Sequence, residues 1–407
     1  MTSVEWAIDY DIFSPEFVQD PFAVWDELRD VCPIAHTERW GGSWMPTSYA
    51  DIVAIAADVE TFSSREILVT PPPVDQGANA DAYANVAAPP ITSDPPNHHA
   101  DRRLILPGFA PKAVAKYEDS ARALCNRLID GFIETGRGDI AEGYAQQIPV
   151  RIIAAMLGVP QDRADEFTGW VRGVLEFGLT DPAARLVARD SIIRFFMEQI
   201  ALRRANPTDD LISELLASEI DGKPVPDHQV IGTCNLLLLA GVDTTWSSIG
   251  ASLWHLAQRP DHRKQLRENP EIWPMAIEEL LRAFAPVTMA RVVTKDVEVG
   301  GCPMKAGDKV LMPFPAANRD PAVFDAPDEV ILDRAQNRHV AFGSGIHRCA
   351  GSNLARLELR VAVQTWLERI PDYELENPAE VRWAGGQVRG PRHAPVVFEP
   401  GTRLAPA

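Results

Sequence analysis

The chain has 407 residues, 46% hydrophobic and 24% charged, with a formal net charge of −18. This is the composition of a folded globular protein, and so large an acidic surplus excludes general nucleic-acid binding, which needs a basic footprint. Its five cysteines, Cys32, Cys125, Cys234, Cys302 and Cys349, are odd in number, far apart and never Cys-x-x-Cys, so neither a disulfide framework nor a zinc ribbon is indicated. All but Cys349 read as small core residues. The opening MTSVEWAIDYDIF lacks a basic and apolar leader. The longest apolar block, NLLLLAGV, falls short of the ~20 residues that span a bilayer. A cytoplasmic protein without membrane contact is expected. Length alone would allow roughly two or three domains, but no linker separates them.

In chain order, residues 69–96 form a long irregular stretch rich in Pro, Ala and Asn. Loops longer than ~15 residues in a compact fold are either lids or disordered, and the position next to the motifs below makes this one a lid over a pocket. SDPPNHHADRR follows, with Ser93 or Asp94 expected to cap a helix on which His98 and Arg102, four apart, share a face. From about 100 to 290 the apolar spacing is helical, as in residues 113–133 and 231–258. The second of these carries Gly241, Asp243, Thr244 and Thr245 in an apolar setting, where buried charge is costly without a partner. A threonine there can also bond back to the carbonyl four residues earlier. In EELLR, Glu279 and Arg282 lie at i and i+3, a pair worth only ~0.2–0.5 kcal/mol if exposed. VTMARVVT alternates as a strand, with Val287, Met289 and Arg291 on one side. Residues 297–312 continue as strands, with turns at Gly300-Gly301 and Gly307. Helices dominate, with small sheets added.

The last motif is AFGSGIHRCAG, residues 341–351, ahead of a helical run over 352–370. Arg348 stands where a dinucleotide fingerprint would need glycine, and no Gly-Lys-Ser/Thr phosphate loop is present. Glycines let a bulky group approach the backbone, and the coming helix N-terminus favours a thiolate at Cys349. A soft thiolate suits iron.

Phe342-Gly343-x-Gly345-x-His347-x-Cys349-x-Gly351 resembles the haem-binding signature of the cytochrome P450 superfamily. Ala240-Gly241-x-Asp243-Thr244-Thr245 is similar to its acid-alcohol pair, and Glu279-x-x-Arg282 to its Glu-x-x-Arg pair, completed by Arg334. The departures are Arg348, Ala350 and Trp246. The resemblance implies a mainly α fold with small β-sheets, a triangular helical prism with a β-rich lobe, as one haem domain over residues 1–407. It implies haem b (iron protoporphyrin IX) with Cys349 as axial thiolate. Phe342, Gly343, Gly351 and Ala240 would pack about the ring, and His98, Arg102, Arg291 and His347 would meet its propionates. Asp243 and Thr244 would serve proton delivery. Leu236, Leu239, Ala240, Val287, Met289 and Val388 would line a compact substrate cavity with no charged anchor, suited to a small terpenoid or aromatic. The implied reaction inserts one atom of O2 by hydroxylation, demethylation or epoxidation. Electrons would come from a ferredoxin and its reductase, since the chain has no electron-transfer extension of its own, and the enzyme would be a monomer. Arg356, Arg360, Gln364 and Glu368 form a helical stripe which, with Arg103, Lys112 and Arg348, is expected to dock the ferredoxin. The alternatives are a peroxide-dependent member, which would lack the acid-alcohol pair, and a non-catalytic haem-binding or sensor protein.

Overall fold

The computed structural model describes residues 3–72 and 87–404; the central half of the loop expected to act as a lid, residues 73–86, lies outside them. The helices that build the site are α1 (Asn97–Ile105), α2 (Gln147–Leu157), α3 (Ala164–Leu175), α4 (Pro182–Ala205), α5 (Asp227–Gln258), α6 (Trp273–Ala283) and α7 (Ser352–Arg369). The main sheet contains β1 (Ile34–Thr37), β2 (Ser43–Pro46), β3 (Phe62–Ser63), β4 (Thr288–Val293) and β5 (Lys309–Pro313), in the order β1-β2-β5-β4-β3. Only β2 and β5 pair in parallel.

Helix α5 is the central element. Val242, Trp246, Ile249 and Leu253 pack in one buried cluster with Ile153 of α2, Phe167 of α3, Phe196 of α4 and Trp366 of α7. By length and hydropathy α5 could cross a bilayer, but 78% of its most apolar window is buried inside the fold, so its apolar surface is met by other helices. Gly241 has a packing reason: a Cβ there would lie 2.6 Å from Ile153 Cδ1, so α5 and α2 approach more closely than any side chain would allow.

Sheet periodicity sets the second wall. In β4, Ala290 enters an apolar cluster, while Met289 and Arg291 turn to the cavity described below with Val287. Val287 bridges to Val388, which brings the C-terminal region against the same wall.

Two local expectations differ from the structure. The run 113–133 is split into Pro111–Ala115 and Glu118–Asp130, because the Tyr117 carbonyl starts a new helix by accepting from Ala121 N and the Ser120 hydroxyl. Neither Ser93 nor Asp94 caps α1 through its side chain. The Asp94 carboxylate is taken by the Ser63 hydroxyl and Ser64 N, and the Ser93 hydroxyl donates to Asp101. Of the four cysteines expected in the core, Cys125 and Cys234 are buried, while Cys32 and Cys302 are half-buried with their sulfurs directed to the Ile34 carbonyl.

Candidate active site

The cysteine loop is fixed by its own backbone. Gly343 and Gly345 take φ of +70° and +67°, which side chains disfavour. Cys349 N donates to the Phe342 carbonyl at 2.8 Å and Gly343 N to Val340 at 2.8 Å. Gly345 is further constrained, since a Cβ would meet the Ala56 carbonyl oxygen at 2.6 Å. Gly351 has φ −81° and forms the N-cap of α7; it is placed near the sulfur, and its amide favours the thiolate. Protein encloses Cys349, yet the residue is accessible from the cavity side. Burial pushes its thiol up, opposed by the Gly351 amide and the charges of Arg102, Arg348 and Arg356.

Behind the loop, Glu279 and Arg282 form a bidentate pair, 2.8 Å on each arm. Arg334 Nε joins Glu279 at 3.0 Å, with Asn337 Nδ2 at 3.1 Å and Ile331 N at 2.8 Å. Arg282 also donates to the carbonyls of Asn318, Pro327 and Glu329, and Asn318 Oδ1 accepts from Val340 N at the loop's start. Asn337 and Asn318 were not found from the sequence.

The arginines and histidines converge on the same cavity. Arg102, Arg291 and His347 line it with Cys349, and the His98 and His347 ring centroids are 4.4 Å apart. Arg291 is 2% exposed, and burial lowers its guanidinium to about 10. His347 is held at about 3 by burial and by Arg291, His98 and Arg102. His98 Nε2 and Arg291 Nε have no partner among the described residues. His347 Nε2 lies 2.9 Å from Ser64 Oγ, a contact between distant segments that no motif announces.

On α5 the acid and the alcohol face different ways. Thr244 lines the cavity and its hydroxyl donates to the Ala240 carbonyl at 2.7 Å, the back-bond open to a helical threonine. Its oxygen therefore offers acceptor lone pairs. Asp243 is fully buried away from that wall, with Oδ1 2.7 Å from Arg392 Nη2. The contact is a charge pair without hydrogen-bond geometry, as Arg392 Nη2 and Asp243 Oδ2 both remain unbonded. Arg392 continues to Glu176 at 2.9 Å and Glu176 to Arg172 at 2.8 Å, and it stacks over Trp246 at 4.1 Å. Burial raises the Asp243 carboxyl to about 6, with Arg392 opposing. Arg392 and Glu176 were missed in the sequence, although the apolar setting of Asp243 required a cation somewhere.

The cysteine cavity has a volume of about 200 Å³. It shares Ile91, Leu236, Ala240, Thr244, Val287 and Met289 with a second chamber of about 460 Å³, which adds Leu239 and Val388. Every residue expected around the substrate thus lines one of the two spaces. The expectation of no charged anchor is not met, because Arg65, Arg185 and Arg189 also line the second chamber. They come from other elements, so no local pattern placed them there.

Residues 183–378 match the family model for cytochrome P450. The chain is 32% identical over 381 residues to the mycinamicin IV hydroxylase/epoxidase of Micromonospora griseorubida, covering 91% of this chain and 94% of that one. It is 37% identical over 323 residues to the steroid C26-monooxygenase of Mycobacterium tuberculosis, covering 77% and 87%. The solved structure of CYP109E1 from Bacillus megaterium with testosterone superposes with a TM-score of 0.85 at 28% identity, over 95% of this chain and 100% of that one. The chain belongs to the cytochrome P450 family. It has the P450 fold, and as a member of a haem-thiolate family it is a monooxygenase carrying haem with an axial cysteine.

The donor set fits that haem. An accessible sulfur at a helix start offers an anionic ligand, and the buried Arg291 guanidinium and the His98 ring, each with a nitrogen unpartnered among the described residues, are donors that suit the two carboxylates of the ring. The expected docking stripe of this P450 is less free than its spacing implied. Arg356 is bidentate to Glu278 at 2.6 and 2.8 Å and lies over Phe342, and Arg360 reaches Glu118 at 2.8 Å. Neighbouring helices supply acids that sequence spacing on α7 alone does not reveal. Arg103, Lys112 and Arg348 are exposed.

Proposed function

We propose that residues 1–407 form one haem domain that inserts one atom of O2 into an apolar organic substrate, with electrons from a ferredoxin and its reductase. One observation carries this reading: Cys349, the cations and Thr244 line one cavity, while a buried acid that titrates near 6 adjoins Thr244 in the chain.

In this reading Cys349 would hold the haem iron through its thiolate. Phe342, Gly343, Gly351 and Ala240 would pack close to the ring, and His98, Arg102, Arg291 and His347 would receive the propionates. Bound haem b supplies the activation of O2. Thr244, its proton committed to the Ala240 carbonyl, accepts a hydrogen bond from the cavity side. Asp243 takes protons from the Arg392–Glu176 side and passes them across α5, a positioned acid worth ~10²–10⁴-fold in such steps. Leu236, Leu239, Ala240, Val287, Met289 and Val388 exclude water and orient the substrate. Glu279, Arg282 and Arg334 hold the loop. Arg103, Lys112 and Arg348 give an acidic ferredoxin a local basic target on an otherwise acidic monomer, which works in the cytoplasm.

The test is turnover with O2, ferredoxin and reductase, set against turnover with peroxide alone. The reading expects the first to be faster, and expects Thr244→Ala to consume electrons without matching product. Tightly coupled turnover in that variant would contradict the role of Thr244. Faster turnover with peroxide would favour the peroxide-dependent alternative.

A further inference from the structure

The chamber beyond Thr244 carries more positive charge than an apolar molecule requires. Beside Ile67, Leu68, Val174 and Leu175 it is lined by Arg65, Glu66, Arg185 and Arg189. Arg189 pairs with Asp190 at 2.8 Å, and Glu66 lies 3.8 Å from Lys309. Arg185 is different. It is 4% exposed, and its two Nη atoms donate to Thr70 Oγ1 at 3.1 Å and to the Pro71 carbonyl. Both acceptors are neutral, and Nε has no partner among the described residues. Burial depresses this guanidinium with no carboxylate offsetting it, and Lys309 nearby has the same sign.

A buried cation served only by neutral acceptors is costly. An arriving anion removes that cost, and a planar guanidinium with free N–H groups is shaped for a carboxylate. The position of Arg185 orients such a ligand. The residues joining this chamber to the cysteine cavity include Leu236, Ala240, Thr244, Val287 and Met289 but not Arg185. The arginine therefore stands away from the reacting end, with apolar wall between.

We propose that the substrate is an apolar molecule bearing one carboxylate, which Arg185 receives in the second chamber while the apolar body extends toward Thr244. This names the substrate class of the monooxygenase site and rests on that reading.

The experiment titrates the purified holoprotein with decanoate, dodecanoate, hexadecanoate and 4-phenylbutyrate, each against its primary amide, by calorimetry and by haem absorbance. Within at least one pair the acid binds about tenfold or more tighter than the amide, as expected of a charge-assisted hydrogen bond. Arg185→Gln reduces that ratio to about twofold or less with amide affinity kept, and Arg185→Lys retains part of it. Equal binding of acid and amide, or no acid binding at all, overturns the proposal. So does an Arg185→Gln variant that weakens acid and amide alike, which would make Arg185 only a tether for the Thr70–Pro71 segment. The reduced, CO-bound spectrum of the same samples keeps the two readings apart. A missing thiolate signature removes the monooxygenase reading, while the calorimetric acid preference stands or falls separately.

Discussion

Two carboxylates are buried to the same degree in this molecule, Glu279 behind the cysteine loop and Asp243 in the centre of α5, each at 0% exposure. Glu279 is saturated: both oxygens accept, from two arginines, an asparagine and a backbone amide. Asp243 is undersupplied: Oδ1 lies near Arg392 and accepts only a long 3.5 Å bond from the Ser247 hydroxyl, and Oδ2 has no partner among the described residues. A fully satisfied buried network is rigid, whereas an acid short of donors has its pKa raised and titrates in the working range of pH. On the proposed reading the difference separates a scaffold from a proton carrier, although both are charged residues in an apolar helix.

The comparison breaks most readily at Glu279. Glu279→Ala leaves Arg282 buried without its charge partner and is expected to cost about 3–5 kcal/mol, read from urea denaturation of the holoprotein. A loss below about 1 kcal/mol would mean that the saturated network does not hold the loop.

Asp243→Asn should behave in the opposite way. Product formation with O2 falls on the order of 10²-fold, while the reduced CO-bound spectrum is retained. Stability sharpens the contrast. The folded carboxyl lies at about 6, above its ordinary 3.8, so its contribution to folding is full below about 4 and is lost as pH rises through about 6. Asparagine cannot ionise, so this decline, which the parent shows between about pH 4 and 7, should be absent from the variant's denaturation midpoints.

A smaller effect is expected at Arg392, whose charge opposes the upward shift of Asp243. Arg392→Gln should move the Asp243-dependent limb of the pH–product profile upward from about 6, and Arg392→Lys should restore most of it. A limb that stays in place would uncouple the two residues. The smallest effect concerns Glu278, which Arg356 and His339 hold at about 2 against the burial that would raise it. Its contribution is present above pH 4.5 and is lost as pH falls toward 2. Glu278→Gln should flatten that acid limb in a thermal unfolding series, without changing product formed per electron.

The same contrast explains what was legible in the sequence. The cysteine loop could be read because its determinants are contiguous: two glycines with positive φ, a cysteine and a helix start within eleven residues. His98 with Arg102, and Met289 with Arg291, followed from helical and strand periods. Thr244 and Asp243 stood out as polar residues in an apolar run. Arg392, Glu176, Ser64 and Arg185 did not, since each reaches the site through contacts between segments far apart in the chain. For Asp243 the kind of partner was implied by the cost of burying it, but not its position. The α7 stripe shows the converse error, in which correct helical spacing identified Arg356 and Arg360 while their acids lay on other helices.

The most direct test of the account is the reduced, CO-bound absorbance spectrum of the parent protein beside Cys349→His at matched haem content. The account predicts the thiolate signature in the parent and its replacement by an imidazole-type spectrum in the variant. A parent without that signature, or a variant that keeps it, would contradict the assignment of Cys349 and the function built on it.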